Sequence, residues 1–209
     1  MRKSSLLAVA IGILLTLPAA AQAPPSPAVP EGTPMRIRGT VERLDGHTLT
    51  VKSRDGQLVT IALADNVTVS TLVKKTLADI KPGDFVASTG VKGTDGKIHA
   101  VEVRIFPEAM RGVGEGQYPW DLMPDSVMTN ATVSGIATAT GGQVLKVSFK
   151  GGESEFIVGP DVPVLGIGTG DLSLLKPGVA VFVIARKMPD GSITAARLYA
   201  EKDGVKPPM

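Results

Sequence analysis

The chain carries one pattern of turn residues twice, and this internal repeat limits the possible folds more than any other feature. With an offset of 96 residues, Gly39 aligns with Gly135. After a deletion of one residue, an offset of 95 aligns Lys81-Pro82-Gly83 with Lys176-Pro177-Gly178. Further aligned positions are Asp45-Gly46 with Gly141-Gly142, Leu49 with Leu145, Val51 with Val147, Gly56 with Gly152, Ile61 with Ile157, Asp65 with Asp161, and Asp95-Gly96 with Asp190-Gly191. Because one gap suffices for all of these matches, the sequence predicts two copies of one small module.

Each copy contains short segments with the alternating pattern of β-strands. In Thr48–Ser53, Leu49 and Val51 alternate with polar residues, which predicts one apolar and one solvated face. Asp45-Gly46 precedes this segment and is typical of a tight hairpin turn. The predicted strands of the first copy are Arg36–Leu44, Thr48–Ser53, Gln57–Leu63, Phe85–Val91 and Lys97–Phe106, and those that close the second copy are Val179–Ala185 and Ser192–Tyr199.

The order of the predicted elements indicates a fold class. Thr71–Ile80 has helical character, and Lys81-Pro82-Gly83 ends it because proline blocks a continuing helix. Three strands, a short helix and two more strands follow one another as in an OB-fold-like barrel. A small open pair of sheets has the same order, but closure is favoured because exposed edge strands invite aggregation. The predicted fold is all-β, with two tandem small OB-like β-barrel modules, each with one short helix, preceded by a signal peptide.

The turn pattern resembles that of a bacterial family of exported OB-like β-barrel repeats, which is catalogued as a domain of unknown function. The resemblance rests on the Asp-Gly turns and on Leu77–Asp84, which reads LADIKPGD. It covers residues 35–106 better than residues 130–200, where Gly141-Gly142 and Val179 depart from the pattern. The resemblance implies an OB-like fold and an extracytoplasmic location, and it implies no catalytic residues.

The N-terminus has the features of a secretory signal peptide. Two basic residues precede the uncharged apolar run Leu6–Leu17, which is shorter than the roughly 20 residues that cross a bilayer. Cleavage after Ala21 is favoured and leaves Gln22 at the new N-terminus. Cleavage two residues later also fits the rule of small residues but places a proline directly after the cut, and an uncleaved anchor is the remaining alternative.

Composition and the repeat together define the predicted segments. Residues 24–34 are rich in proline and small residues and lack apolar periodicity, as in an extended linker. The predicted segments are the signal peptide (1–21), the Pro-rich linker (22–34), the first β-barrel repeat (35–106), an aromatic and acidic connector (107–129), the second β-barrel repeat (130–201) and a tail (202–209).

The mature sequence is balanced in charge and contains no cysteine. Removal of the two basic residues of the signal peptide leaves 20 basic and 20 acidic residues, so the sequence lacks the positive charge typical of nucleic-acid binding. Phe85 is the only aromatic residue between positions 35 and 105, so a platform for base stacking is missing too. The missing cysteines exclude thiol catalysis and disulfides. No later segment is apolar for long enough to span a membrane after removal of the signal.

No group of residues has the spacing of a catalytic, metal or cofactor site. His47 and His99 are the only histidines, and a structural zinc site needs about four ligands. The glycines of residues 166–170 suggest a phosphate loop, but the long helix that such a loop requires does not follow. The Asp-Gly pairs fit turn geometry, since glycine accepts positive φ. The sequence therefore predicts a protein that is not an enzyme and that binds no cofactor and no metal.

The connector contains the candidate binding residues. Its only tryptophan, Trp120, follows Tyr118 by two residues, its net charge is −3, and it exceeds the usual length of loops. Two interpretations stay open: the aromatic side chains fill a groove between the two barrels, or they form a recognition surface for a ligand or partner. The candidate binding residues are Arg111, Glu115, Tyr118, Trp120, Asp121 and Met123.

These features together predict a binding protein. The first hypothesis is a non-catalytic periplasmic or secreted module that binds an unknown protein or cell-envelope component. The alternative is a periplasmic accessory protein that handles a small ligand or a metal, held between the two copies, because pockets often lie where two domains meet.

Overall fold

Alternating apolar residues and glycine-containing turns fold most of the chain into β-strands. The computed structural model describes residues 32–139 and 142–208. The predicted signal peptide and most of the predicted linker lie outside these residues. The strands are β1 (Thr33–Asp45), β2 (Thr48–Ser53), β3 (Leu58–Lys75), β4 (Phe85–Lys92), β5 (Ile98–Ile105), β6 (Gly116–Pro119), β7 (Ser126–Ala139), β8 (Gly142–Phe149), β9 (Gly152–Val158), β10 (Val164–Thr169), β11 (Ala180–Lys187) and β12 (Ile193–Ala200).

The strands close into rings, so the predicted all-β fold and the predicted barrel closure are confirmed. β1, β2 and β3 pair in order, β11 pairs with the free side of β1, and β12 pairs with β11. A parallel pairing of β12 with β3, which includes Ala195 opposite Leu63, closes this first barrel. The second barrel contains β7, β8, β9, β5 and β4, and the parallel pairing of β5 with β9 closes it at Ile98 opposite Phe156.

Only the first barrel contains strands that lie far apart in the sequence. The first barrel combines β1 to β3 with the hairpin β11–β12, whereas the hairpin β4–β5 belongs to the second barrel with β7 to β9. The two barrels share one continuous sheet, because the end of β3 pairs antiparallel with β10, with Leu72 opposite Ile167. We call this arrangement the strand exchange. It places the outer faces of the hairpins β11–β12 and β4–β5 next to each other, where residues of both line one cavity.

The strand registers revise one detail of the sequence alignment. In the first hairpin a β-bulge between Val41 and Arg43 precedes the turn, and in β7 the corresponding bulge lies between Val133 and Gly135. The registers therefore place Gly135 at the position of Arg43. Gly39 lies on the other side of the bulge, so the alignment of Gly39 with Gly135 is wrong.

The helix predicted for Thr71–Ile80 is wrong. Thr71–Lys75 continues β3, because β10 supplies a partner strand for these residues. Only the short 3-10 helix Leu77–Asp79 follows, and the backbone N–H of Thr76 donates to the Asp79 carboxylate at 2.7 Å. Tertiary pairing thus overrides a weak local propensity. No helix among residues 32–139 and 142–208 is long and apolar enough to cross a membrane.

Each barrel encloses its own apolar core, as the alternation of its strands requires. Leu49, Ile61 and Leu198 are fully buried in the first barrel, and Leu145 and Phe156 are buried in the second. A third, smaller cluster lies outside both cores. It contains Leu72, Leu165, Phe182 and Tyr199, with Trp120, Ile167 and Val205 packed against it.

Candidate functional site

A cavity of about 200 Å³ lies where the outer faces of the two barrels meet. Side chains alternate along a strand, so the neighbours of core residues point into this space. In β11, Val181 and Val183 lie in the first core, and Phe182 between them lines the cavity. We call it the aromatic–arginine cavity, after the lining residues Arg36, Arg104, Tyr118, Trp120, Phe182, Arg197 and Tyr199.

Four aromatic rings form a continuous row along this cavity. The ring centre of Tyr118 lies 6.2 Å from that of Trp120, and Trp120 lies 6.3 Å from Phe182 in an edge-to-face arrangement. Phe182 and Tyr199 are stacked at 6.2 Å. Such pairs stabilise one another by about 0.5–1.5 kcal/mol beyond their buried area. The row therefore gives the cavity a rigid apolar wall.

The hydrogen bonds of the connector fix the position of Trp120. Its backbone N–H donates to the carbonyl of Ser126 at 2.7 Å, and the Ser126 hydroxyl donates to the Trp120 carbonyl at 3.0 Å. The indole contacts the first barrel, while Tyr118 lies in β6, which pairs with β7 of the second barrel. The connector thus both packs between the barrels and lines the cavity.

Two arginines of β1 stack on the aromatic row. The guanidinium of Arg36 lies 4.2 Å from the centre of the Trp120 ring, and that of Arg38 lies 4.5 Å from the centre of Phe182. Arg38 is buried and forms an ion pair of 3.0 Å with Asp121. Cations over ring faces are attracted by the ring quadrupole. These contacts attach the connector to the first barrel.

A buried ion pair supports the second side of the cavity. Nη2 of Arg104 lies 2.6 Å from Oε1 of Glu102, and both side chains are less than a tenth exposed. The hydroxyl of Thr89 donates to the same carboxylate at 3.2 Å, and the Arg104 guanidinium lies 5.6 Å from the ring centre of Tyr199. The positive charge of Arg104 is therefore already compensated.

Three other polar side chains at the cavity can still form hydrogen bonds or ion pairs. In the part of the chain that the structure describes, Arg36 and Arg197 have no hydrogen-bond or carboxylate partner. Asn130 is only 7% exposed; its Nδ2 donates to the Val113 carbonyl at 2.9 Å, and its Oδ1 has no partner. A buried acceptor without a partner costs about 1–3 kcal/mol. A ligand with an N–H or O–H could remove this cost.

The two tyrosines of the cavity stay neutral over the physiological range. Burial raises the pKa of Tyr118, against the opposing effect of Arg36. Burial also raises the pKa of Tyr199, against Arg104 and Arg197. Because the phenols carry no charge, the arginines determine the electrostatics of the cavity.

The candidate residues of the connector lie at several different places. Tyr118 and Trp120 line the cavity together, whereas Asp121 is used in the ion pair with Arg38. Arg111 pairs with Glu108 and donates to the Gly83 carbonyl at 2.9 Å. The carboxylate of Glu115 accepts the backbone N–H of Lys150 at 3.0 Å, and Met123 lines a different cavity.

The sequence did not indicate the strand residues of the cavity. Arg36, Phe182, Arg197 and Tyr199 alternate with core residues, so they have the pattern of an ordinary solvated face. One signal was available: Phe182 and Tyr199 are large aromatic residues on the outer face of their hairpin. In the closing hairpin of the second barrel, the residues paired in the same way are Ala87 and Arg104, so the aromatic pair is specific to the first barrel.

A second cavity, of about 600 Å³, lies beside the C-terminal residues. Its walls are mainly apolar, and Lys74, Lys75 and Lys206 contribute its positive charges. Met123 of the connector lines it and is 42% exposed.

The two histidines each face one carboxylate. His47 lies 3.8 Å from Asp65, and His99 lies 3.1 Å from Asp95. In the described ranges, 32–139 and 142–208, no three His, Cys, Asp or Glu side chains lie close enough together to hold a metal ion.

No protein-family model, no curated protein and no solved structure matches the chain. The resemblance of the turn pattern to exported OB-like repeats therefore stays a prediction, and any function has to be inferred from the site itself.

Proposed function

We propose that this protein is a non-catalytic binding module that holds a small ligand in the aromatic–arginine cavity. The observation that carries the proposal is a cavity of about 200 Å³ that is lined by the row of four aromatic rings and by three arginines from both barrels. Apolar walls with a few placed polar groups are typical of ligand sites. The row of rings and its ion pairs hold the walls in place, so the binding geometry exists before a ligand arrives.

The chemistry of the cavity supports binding rather than catalysis. A general acid or base works best with a pKa near the working pH. Arginine stays protonated, and burial moves the pKa of Tyr118 and Tyr199 further above their usual range. The carboxylate of Glu102 is held by Arg104 and Thr89. The cavity can therefore orient a ligand but lacks a group suited to move a proton.

A protein or cell-envelope partner is a second candidate function. It is supported by the exposed Met123 and by the three lysines around the second cavity. Flexible methionine side chains adapt to varied partner surfaces. On this view the Tyr118–Met123 segment binds small ligands on one side and contributes to a partner surface on the other.

We also infer that the two barrels are two OB-like modules from a tandem repeat. The support is their common order of strands: three consecutive strands, closed by a hairpin, with the same bulge in the first hairpin of each. The 3-10 helices Leu77–Asp79 and Leu172–Leu174 stand at equivalent positions before the two closing hairpins. The repeat in the sequence and the repeat in the pairings support the same origin.

We further infer that the protein is exported and works in the periplasm or outside the cell. The support is the N-terminal sequence. Mass spectrometry of the protein purified from its native host is expected to give a chain that begins at Gln22. A chain that begins at Met1 would show that the segment is kept, and one that begins at Pro24 would move the cleavage site.

The binding proposal is tested with Trp120, since it is the only tryptophan and lies in the cavity. We expect a ligand from a metabolite panel to shift the emission of Trp120 and to raise the thermal stability of residues 22–209. At 100 times its Kd, one ligand adds about 2.7 kcal/mol to the free energy of unfolding.

Two matched variants distinguish binding in this cavity from binding elsewhere on the surface. Ala87→Leu adds volume to the cavity wall and should abolish both responses, whereas Leu58→Ala, at an exposed position on β3, should leave them unchanged. Equal responses in the wild type and in Ala87→Leu would place the binding elsewhere. No response to any compound would refute the proposed function.

A further inference from the structure

The charge of the aromatic–arginine cavity selects the kind of ligand. Of its three arginines, Arg104 is neutralised by Glu102 at 2.6 Å. Arg36 and Arg197 are exposed and have no carboxylate partner in the described part of the chain. The accessible part of the cavity therefore carries about two uncompensated positive charges. This charge repels cationic ligands and attracts anions.

The buried amide of Asn130 sets a second requirement. Its Oδ1 has no partner and can only accept a hydrogen bond. An anionic oxygen next to this acceptor would be repelled, so the ligand needs an N–H or O–H donor there. A ligand with several anionic groups fits this pair of requirements poorly.

The walls and the volume set a third requirement. The row from Tyr118 to Tyr199 gives apolar ring surface, and Met128 and Ile184 add aliphatic contacts. Pockets for drug-sized ligands have volumes of about 300–1,000 Å³, so a cavity of about 200 Å³ holds a smaller molecule. A flat body of one ring, or a short branched chain, fits between these walls.

We propose that the cavity binds a small organic monocarboxylate with an apolar body and one hydrogen-bond donor. The carboxylate lies at Arg36 and Arg197, whose planar guanidinium groups match its geometry. The apolar body lies against the aromatic row, and the donor bonds to Oδ1 of Asn130. This inference rests on the proposed function and names its ligand class.

A carboxylate with an apolar body and a hydrogen-bond donor can belong to a free metabolite or to the last residue of a peptide. The probes are therefore N-acetylphenylalanine, N-acetylleucine and 3-phenylpropionate, a tripeptide that ends in phenylalanine, and the amide of each. Phenyl phosphate is added as a compact dianion. Affinities are measured by calorimetry with residues 22–209.

We expect at least one acid to bind about tenfold more tightly than its amide, since a charge-assisted hydrogen bond contributes more than a neutral one. Arg197→Gln should weaken the binding of that acid about tenfold and leave the binding of its amide unchanged. Arg43→Gln is the matched control, because this exposed arginine of β1 lies outside the cavity. Preference for the tripeptide over the single amino acids would assign the ligand to a chain terminus, and the reverse to a metabolite.

Two results overturn the ligand class. One is that no acid binds more tightly than its amide, and the other is that phenyl phosphate binds more tightly than every acid. If neutral or cationic compounds of the panel still bind in a way that Ala87→Leu abolishes, the cavity is a binding site for another class. If no compound binds in a way that Ala87→Leu abolishes, the proposed function itself is refuted.

Discussion

Alanine at Gly39 is expected to lower the free energy of unfolding by about 3 kcal/mol, near the upper end for overpacking. A Cβ at this position would meet the backbone of β2, with the carbonyl oxygen of Lys52 as its nearest neighbour and Cα of Ser53 at 2.8 Å. Backbone atoms inside a barrel wall cannot move aside as a flexible side chain does. Urea unfolding, followed by circular dichroism, measures the change from the shift of the midpoint at constant slope.

Gly135 provides the matched control on β7. A Cβ there would meet only the side chain of Lys146, at 3.9 Å. We therefore expect Gly135→Ala to change the stability by no more than about 0.5 kcal/mol. Equal destabilisation by the two substitutions would contradict the registers that separate Gly39 from Gly135.

Alanine at Glu102 is expected to cost about 3–5 kcal/mol, because it leaves the buried charge of Arg104 without a partner. The side chains of Glu102 and Arg104 are only 3% and 8% exposed, and Thr89 loses its acceptor as well. The same unfolding experiment gives the value.

The pair Lys146–Glu155 serves as the exposed comparison. Its atoms lie 3.2 Å apart and its side chains are 53% and 61% exposed, so Glu155→Ala should cost at most about 1 kcal/mol. The double variant Glu102→Leu with Arg104→Met should recover most of the loss, since it leaves no unpaired charge. A cost below about 1 kcal/mol for Glu102→Ala would show that water reaches Arg104.

The strands could be predicted because their signals are local. The strand Thr48–Ser53 and the tight turn after Asp45 depend only on neighbours along the chain, and the structure contains both. The predicted solvated face is found only in part, because Thr50 is just 6% exposed. The segment Thr71–Lys75 could not be predicted as a strand, since its partner β10 lies about 95 residues away. Without that partner, the same residues have weak helical character.

The strand exchange could not be read from the sequence either. The turn residues between β3 and β4 would be the same whether the hairpin β4–β5 closed the barrel of β1 to β3 or that of β7 to β9. The site follows from the exchange, since it places Phe182 and Tyr199 on the barrel of β1. Tyr118 and Trp120 could be selected as candidates because a long connector with large aromatic residues is unusual. The strand residues that pack against them, such as Phe182, carry no comparable signal in the sequence.

The strand exchange also sets the order in which a growing chain can complete its parts. The second barrel ends with β9 at Val158, whereas the first needs β12 and is incomplete until Ala200 has been made. The strands synthesised first are therefore the last to be enclosed. A chain that stops before Ala180 leaves one side of β1 unpaired, so the first barrel can form only after Ala180–Ala200 has been synthesised.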